Sequence, residues 1–219
     1  MYNELESIED SVEEISIIGN SISKDYEVII ADDGSTDGSA EISDRLARIN
    51  SHVKVVHLLS NTKFGGALRA GLKAATKELI IYTDSDLPVS FLDIKKSLLL
   101  IDEADIVTAT SIIKKGENRR RRIISKVYNL LVQSLFKMDI KDANSGYKIY
   151  RKSVLEGMEL KSESPFIDVE IFLKAKKNGA RIVEYPLVFR LRRQGSSKIS
   201  RMSVILKTFL DMLRCKFSR

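Results

Sequence analysis

"YEVIIADDGSTDGS", residues Tyr26 to Ser39, decides the fold. Its first part, "YEVIIA", is a short β-branched run, and "DDGSTDGS" is a cluster of turn formers. A helical pattern follows through Ile42, Leu46 and Ile49. The same grammar recurs downstream, with "VKVVHL" as strand, "LSNTKFGG" as loop, "ALRAGLKAAT" as helix and "ELIIYT" (Glu78 to Thr83) as a strand ending on "DSDLP". Strands alternating with helices at this pitch predict βαβ units, and hence an α/β fold with a mostly parallel central sheet flanked by helices.

Upstream, apolar residues at Leu5, Ile8, Val12, Ile15 and Ile18 predict an opening helix. Downstream, the pattern predicts a strand at "ADIVTAT", a long helix at "RRIISKVYNLLVQSLF" and a short strand at "GYKIYR". A helix at "DVEIFLKAKKNG" stops at Gly179, and the strand "ARIVEYPLVFR" carries Pro186, which favours an edge or a bulge. From Met202 to Phe217 the chain reads as an amphipathic helix with Met202, Ile205, Leu206, Phe209 and Leu213 on one face.

No repeat or flexible linker divides the 219 residues, so a single domain is expected. The single Cys215 has no partner for an internal disulfide, which fits a reducing, cytoplasmic compartment and no structural zinc. No run of about 18 apolar residues is present, and the acidic start lacks the features of a signal peptide. The net charge of +6 is unevenly placed. "KKGENRRRR" (Lys114 to Arg122) and the tail from Arg190 are strongly basic, which suggests a phosphorylated or polyanionic partner, or simply a solvated face. No nucleic-acid-binding motif accompanies them, and no nucleic acid partner is expected.

In an open parallel sheet, ligands bind beyond the carboxyl ends of the strands. The loops after Ala31, Leu58 and Thr83 should therefore line one crevice. "DDGSTD" brings Asp32, Asp33 and Asp37 to it, and "DSD" brings Asp84 and Asp86. Two carboxylates one residue apart suit a hard divalent cation that keeps its other positions for water and phosphate oxygens. "DDGSTDGS" also reads as a turn followed by a helix N-cap. The glycines of "FGGALRAG" match no familiar phosphate-binding loop.

The stretches "YNE", "YEVIIADDGSTDGS", "NTKFGGALRAGLKAA", "DSDLP", "RIISKVYN", "DANSGYKIYRKSVLE" and "RRQGSSK" stand in the order and spacing of family 2 glycosyltransferases with the GT-A fold. Within that family the chain most resembles the dolichyl-phosphate mannose and polyprenyl-phosphate glucose synthases. The resemblance implies an inverting transfer of a hexose from a nucleoside diphosphate sugar (GDP-mannose or UDP-glucose) to dolichyl or polyprenyl phosphate, with Mg²⁺ or Mn²⁺ as cofactor. It makes residues 1–110 the nucleotide-sugar half and 111–219 the acceptor half.

Carried over position by position, the resemblance puts Tyr2 and Glu4 beside the nucleoside and Asp32 on the base. Asp84 would lie near the ribose, diphosphate and metal, with Asp86 as the direct metal ligand. Asp142 matches the acidic residue at the reaction centre. Arg121, Ser125, Arg192 and Lys198 match positions that bind phosphate groups of donor or acceptor. Taken without the resemblance, Asp142 reads as a turn residue and Tyr147 as a core aromatic. The basic zones would sit at the cytoplasmic face of a membrane, with the chain peripherally attached.

Three departures stand out. Pro88 occupies a position where relatives often carry Gln or Glu. "ATSII" replaces a G-S-R stretch, which leaves the "RRRR" run to supply one phosphate-binding arginine. The family also begins with an apolar strand directly before Tyr-Asn-Glu, so a strand upstream of Met1 is expected. Two other readings remain open: a family 2 transferase acting on a saccharide or protein acceptor, and a non-catalytic nucleotide-sugar-binding protein.

Overall fold

A computed structural model describes residues 1–112, 119–190 and 202–217, with side chains described except at 119–121. In chain order the elements are α1 (Ile8–Ile22), β1 (Val28–Asp32), α2 (Ser39–Ile49), β2 (Val53–His57), α3 (Lys63–Ala74), β3 (Leu79–Thr83), α4 (Phe91–Leu98) and β4 (Ile106–Ser111). There follow α5 (Arg119–Phe136), β5 (Tyr147–Arg151), α6 (Lys152–Leu155), α7 (Ile167–Lys177), β6 (Ile182–Leu187) and α8 (Met202–Phe217).

The strands form two ladders. β1 and β2 are parallel, in register from Val28 opposite Val53 to Asp32 opposite His57. Met1 extends this ladder on the other side of β1: its amino group donates to the Ala31 carbonyl at 2.5 Å, and its carbonyl accepts the Asp33 N–H at 2.9 Å. The second ladder runs β3-β5-β4-β6, with β6 parallel to β4 and β5 antiparallel to both neighbours. β6 lies at the sheet edge, where Pro186 costs no ladder bond on its open side.

The reversal of β5 positions the site. Tyr147, which opens β5, lies opposite Thr83, which closes β3. The loop leading into β5 therefore arrives at the carboxyl end of β3, where an all-parallel sheet would have placed only βα loops.

Apolar alternation gives each face its core. On one side of the four-stranded sheet Val107, Ile149 and Tyr147 pack against Ile94 of α4 and Ile101. On the other, Ile106 and Tyr150 pack against α7, whose residues Ile167 to Leu173 are all buried. A third cluster of Ile8, Val12, Val28, Ile30, Leu46 and Val53 joins α1 and α2 to the β1–β2 ladder. α4 is capped by Ser90, whose hydroxyl accepts the Asp93 N–H at 3.1 Å. Beyond α7, Gly179 adopts φ +82°, the left-handed conformation that suits glycine and lets the chain turn away.

The helices α4 and α6 fall where the sequence reading named no element, and three others differ from it. The first helix begins at Ile8, and Leu5 lies in a turn ahead of it, 41% exposed. α3 begins at Lys63, inside the stretch expected to be loop. α8 has the expected bounds, but the face it buries is Thr208, Asp211 and Met212, with Asp211 accepting the Ser164 N–H at 3.3 Å. Its apolar residues Met202, Leu206, Phe209 and Leu210 are exposed.

Candidate active site

The loop after β1 is held from three directions. Asp32 is almost fully buried, and its two oxygens are engaged separately: Oδ1 accepts the Ser35 N–H at 3.1 Å and Oδ2 lies 2.9 Å from His57 Nδ1. Burial pushes the Asp32 carboxyl up, but the bonds from Ser35 and His57 outweigh it and hold the group below its ordinary value. Asp33 turns the other way and accepts both the N–H (2.6 Å) and the hydroxyl (2.7 Å) of Thr62, tying the loops after β1 and β2 together. Asp37 accepts the N–H of Ser39 at 3.0 Å through Oδ1 and that of Leu5 at 3.2 Å through Oδ2. Asp33 and Asp37, expected in the crevice, thus use these oxygens to shape the loop.

The segment carrying Tyr2 and Glu4 lies along this same loop. Asn3 sits at φ +53° and bonds twice, its N–H to Ser35 Oγ at 2.9 Å and its Oδ1 to the Thr36 N–H at 2.9 Å. The Glu4 N–H donates to Ser39 Oγ at 2.9 Å. The Asn3–Glu4 segment thus runs against the loop that follows Asp32.

β3 delivers the second wall. Asp84 follows its last residue, and Asp84 Oδ1 accepts the Tyr82 hydroxyl at 2.8 Å. The Asp84 N–H donates to the Gly146 carbonyl at 3.2 Å, and the Asp84 carbonyl accepts the Leu87 N–H at 3.0 Å across a tight turn with Leu87 at φ +39°. That turn keeps Asp86 beside Asp84, with Asp86 Oδ1 shielded from solvent.

The third wall is the loop before β5. Asp142 is buried in it. The Ala143 N–H donates to Asn129 Oδ1 on α5 at 3.2 Å, and the Lys141 N–H to Glu184 Oε1 on β6 at 2.7 Å. Behind these walls Lys148 and Asp168 form an ion pair of 3.1 Å, both essentially inaccessible to water. Burial pushes the Asp168 carboxyl up to about 6 against the pull of Lys148, and the negative charges of Asp84 and Asp142 push the same way. Asp84, Asp142 and Asp168 thus belong to one electrostatic cluster.

Ser125 lies half-buried on α5. The backbone of Arg121 is in the same helix, but its side chain lies outside the described residues, as do Arg192 and Lys198 altogether. The sequence reading missed His57, Asn3, Lys148 and Asp168. Asn3 and Lys148 stood inside the stretches "YNE" and "DANSGYKIYRKSVLE" that carry the resemblance, but neither was given a role there.

Among the described residues no three His, Cys, Asp or Glu side chains converge as a cage. Two adjacent carboxylates at a strand end suit a hard cation completed by water and by substrate phosphates. Gly146 makes room for them: a β-carbon there would stand 2.5 Å from Asp84 Oδ2, so only bare backbone cradles that oxygen. The residues present fit such an ion held jointly with a ligand.

An α/β sheet with a carboxylate pair closing one strand, and a reversed strand bringing an acidic loop to the same end, is the arrangement of a GT-A glycosyltransferase fold. The chain belongs to glycosyl transferase family 2, whose pattern matches residues 1–158. Glycosyltransferase AglD of Haloferax volcanii is 27% identical over 97% of this chain, and the chain spans 35% of that relative's length. Glucosyl-3-phosphoglycerate synthase from Mycobacterium tuberculosis, in complex with Mn²⁺, uridine diphosphate and phosphoglyceric acid, is similar with a TM-score of 0.75. The likeness covers 99% of this chain and 75% of that one at 16% identity. S. aureus TarS is similar with a TM-score of 0.58 at 24% identity, over 86% of this chain and 57% of its own. At these identities the two structures establish the fold.

Proposed function

We propose that the chain is an inverting glycosyltransferase domain that moves a hexose from a nucleoside diphosphate sugar to a polyprenyl or dolichyl phosphate. One observation carries the reading. The Asp84 N–H bonds the Gly146 carbonyl at 3.2 Å, so the carboxylate pair at the end of β3 and the loop holding Asp142 share one crevice. Metal-dependent cleavage of a sugar diphosphate by an incoming nucleophile needs these two groups side by side.

In this reading Tyr2, Glu4 and Asp32 hold the nucleoside. Asp84 and Asp86 hold Mg²⁺ or Mn²⁺, which when bound neutralises charge building on the leaving diphosphate. A lipid phosphate is already anionic at neutral pH, so Asp142 has little proton to remove and instead orients the acceptor through a lysine or arginine, or stabilises the oxocarbenium-like centre. Ser125, Arg121, Arg192 and Lys198 bind phosphate groups. The donor is GDP-mannose or UDP-glucose.

The outward apolar face of α8 supports a lipid acceptor. Met202, Leu206, Phe209 and Leu210 are exposed there, and Ile123, Val127 and Leu130 are exposed on α5. The two helices meet where Lys216 Nζ donates to the Leu135 carbonyl at 2.6 Å. Among the described residues no helix is long and apolar enough to cross a membrane; exposed apolar side chains on two adjoining helices suit peripheral attachment at the cytoplasmic face.

Radiolabelled GDP-mannose or UDP-glucose incubated with polyprenyl phosphate and Mn²⁺ tests the reading. Label partitioning into organic solvent is the expected result. Label that stays aqueous with a saccharide or protein acceptor overturns the lipid assignment, and nucleotide binding without transfer overturns the enzymatic one.

A further inference from the structure

Lys148 is the second residue of β5 and is fully buried, with its ammonium in the interior of the sheet. An ammonium there costs several kcal/mol unless it is paired, and an apolar pair of similar volume is often no less stable. What distinguishes this ion pair is the set of groups its charge joins. Lys148 Nζ lies 3.1 Å from Asp168 Oδ2 at the start of α7 and donates to the Ser145 carbonyl in the Asp142 loop. It also stands 5.3 Å from the ring centroid of Tyr82, its cross-strand partner on β3. The Tyr82 hydroxyl in turn donates to Asp84 Oδ1 at 2.8 Å. One cation thus touches both the residue that orients Asp84 and the loop that carries Asp142.

We infer that Lys148, clamped by Asp168, is a positioning residue that fixes the Asp142–Gly146 loop against Asp84. The inference rests on the transfer reading above for its catalytic consequence, but not for its structural one. Lys148 touches no reacting atom. It holds the Ser145 carbonyl from behind, while the neighbouring Gly146 carbonyl takes the Asp84 N–H from in front. Losing the anchor frees the acceptor side of the crevice, whereas Asp84 keeps its bond to Tyr82.

Removing Lys148 alone would strand Asp168 as a buried charge and risk unfolding. The test therefore uses the double variant Lys148→Met/Asp168→Asn in the full chain, beside Lys148→Met. Amide hydrogen exchange at Lys141 to Gly146, read without substrate, should rise at least tenfold in the double variant. Its melting temperature should stay within a few degrees of wild type. Mn²⁺–nucleotide affinity, read by calorimetry with GDP and UDP, should change less than threefold. In the transfer assay kcat should fall tenfold or more, with little change in KM for the donor.

Unchanged exchange in the loop overturns the inference, as does faster exchange with wild-type kcat. If the wild-type chain transfers sugar to no acceptor, the transfer reading fails. The exchange measurement then decides alone whether Lys148 fixes the loop.

Discussion

Gly146 and Asp84 are in backbone contact, and the missing side chain of one makes room for the carboxylate of the other. The Asp84 N–H reaches the Gly146 carbonyl at 3.2 Å, and a β-carbon on Gly146 would lie 2.5 Å from Asp84 Oδ2. Gly146→Ala should therefore act on the site more than on the fold, since the group that must yield is the end of a side chain. Mn²⁺-dependent nucleotide affinity should drop about tenfold, on the order of 1.4 kcal/mol. The melting temperature should fall by only a few degrees, and calorimetry with thermal unfolding separates the two.

His57 bridges two carboxylates, with Nδ1 at 2.9 Å from Asp32 Oδ2 and Nε2 at 3.0 Å from Asp44 Oδ1. Both ring nitrogens donate only in the imidazolium form, so the bonds to Asp44 and then Asp32 raise its pKa above 6.5. A raised folded pKa means stability fully present below the unfolded value and lost as pH rises through the folded one. With His57 41% exposed on its side chain, the effect should stay below about 1 kcal/mol. Wild type should lose melting temperature relative to His57→Ala as pH rises above the ordinary value of 6.5. Parallel curves would refute the bridge.

Glu27 ties three strands' ends together. It accepts from Lys54 Nζ at 2.7 Å, the Thr76 N–H at 2.6 Å and the Thr76 hydroxyl at 2.9 Å. Burial pushes this carboxyl up, yet these bonds prevail and hold it down to about 2. A lowered folded pKa gives stability present above the ordinary value of 4.5 and lost as pH falls toward about 2. Glu27→Ala should cost roughly 2–3 kcal/mol at neutral pH, and the gap between variant and wild type should close on acidification, as read by urea titration.

Leu206 and Phe209 are exposed apolar side chains on α8. Leu206→Ser/Phe209→Ser should leave folding stability within about 0.5 kcal/mol, because neither packs inside. If this face docks on a bilayer, the same variant should lose flotation with vesicles containing anionic lipid. Unaltered flotation would reject the docking face, and a large stability loss would show that the face packs inward.

Much of the fold was legible because buried strands announce themselves. "YEVIIA", "ELIIYT" and "ADIVTAT" are apolar runs, and each became a strand, although β3 and β4 pair antiparallel with β5 where parallel neighbours were expected. The start of α3 was not legible, since Asn61 and Thr62 read as turn while Lys63 opens the helix from φ +67°. α8 shows the limit of periodicity. A wheel identifies an apolar face but not which face turns inward, and here Asp211 and Thr208 do so because Asp211 meets the Ser164 amide.

The site was legible where chemistry repeats at strand ends, as at Asp32, Asp84 and Asp86. Lys148 was not, because a lysine in "YKIYR" reads as the polar, outward position of an alternating strand. Its burial comes from α7, which packs over that face of β5 and brings Asp168 and Phe172 to Lys148. Asp33 and Asp37 were legible as carboxylates but not as ties, since their partners Thr62 and Leu5 lie far along the chain.

The reversed direction of β5 has a consequence for how such a domain diversifies. Because β5 runs against β3, the crevice receives one loop whose length and composition answer to no βα connection. Under the proposed function, residues 137–145 are where the acceptor side of the crevice can vary, whereas Gly146 is tied to the Asp84 side because its bare backbone seats that carboxylate.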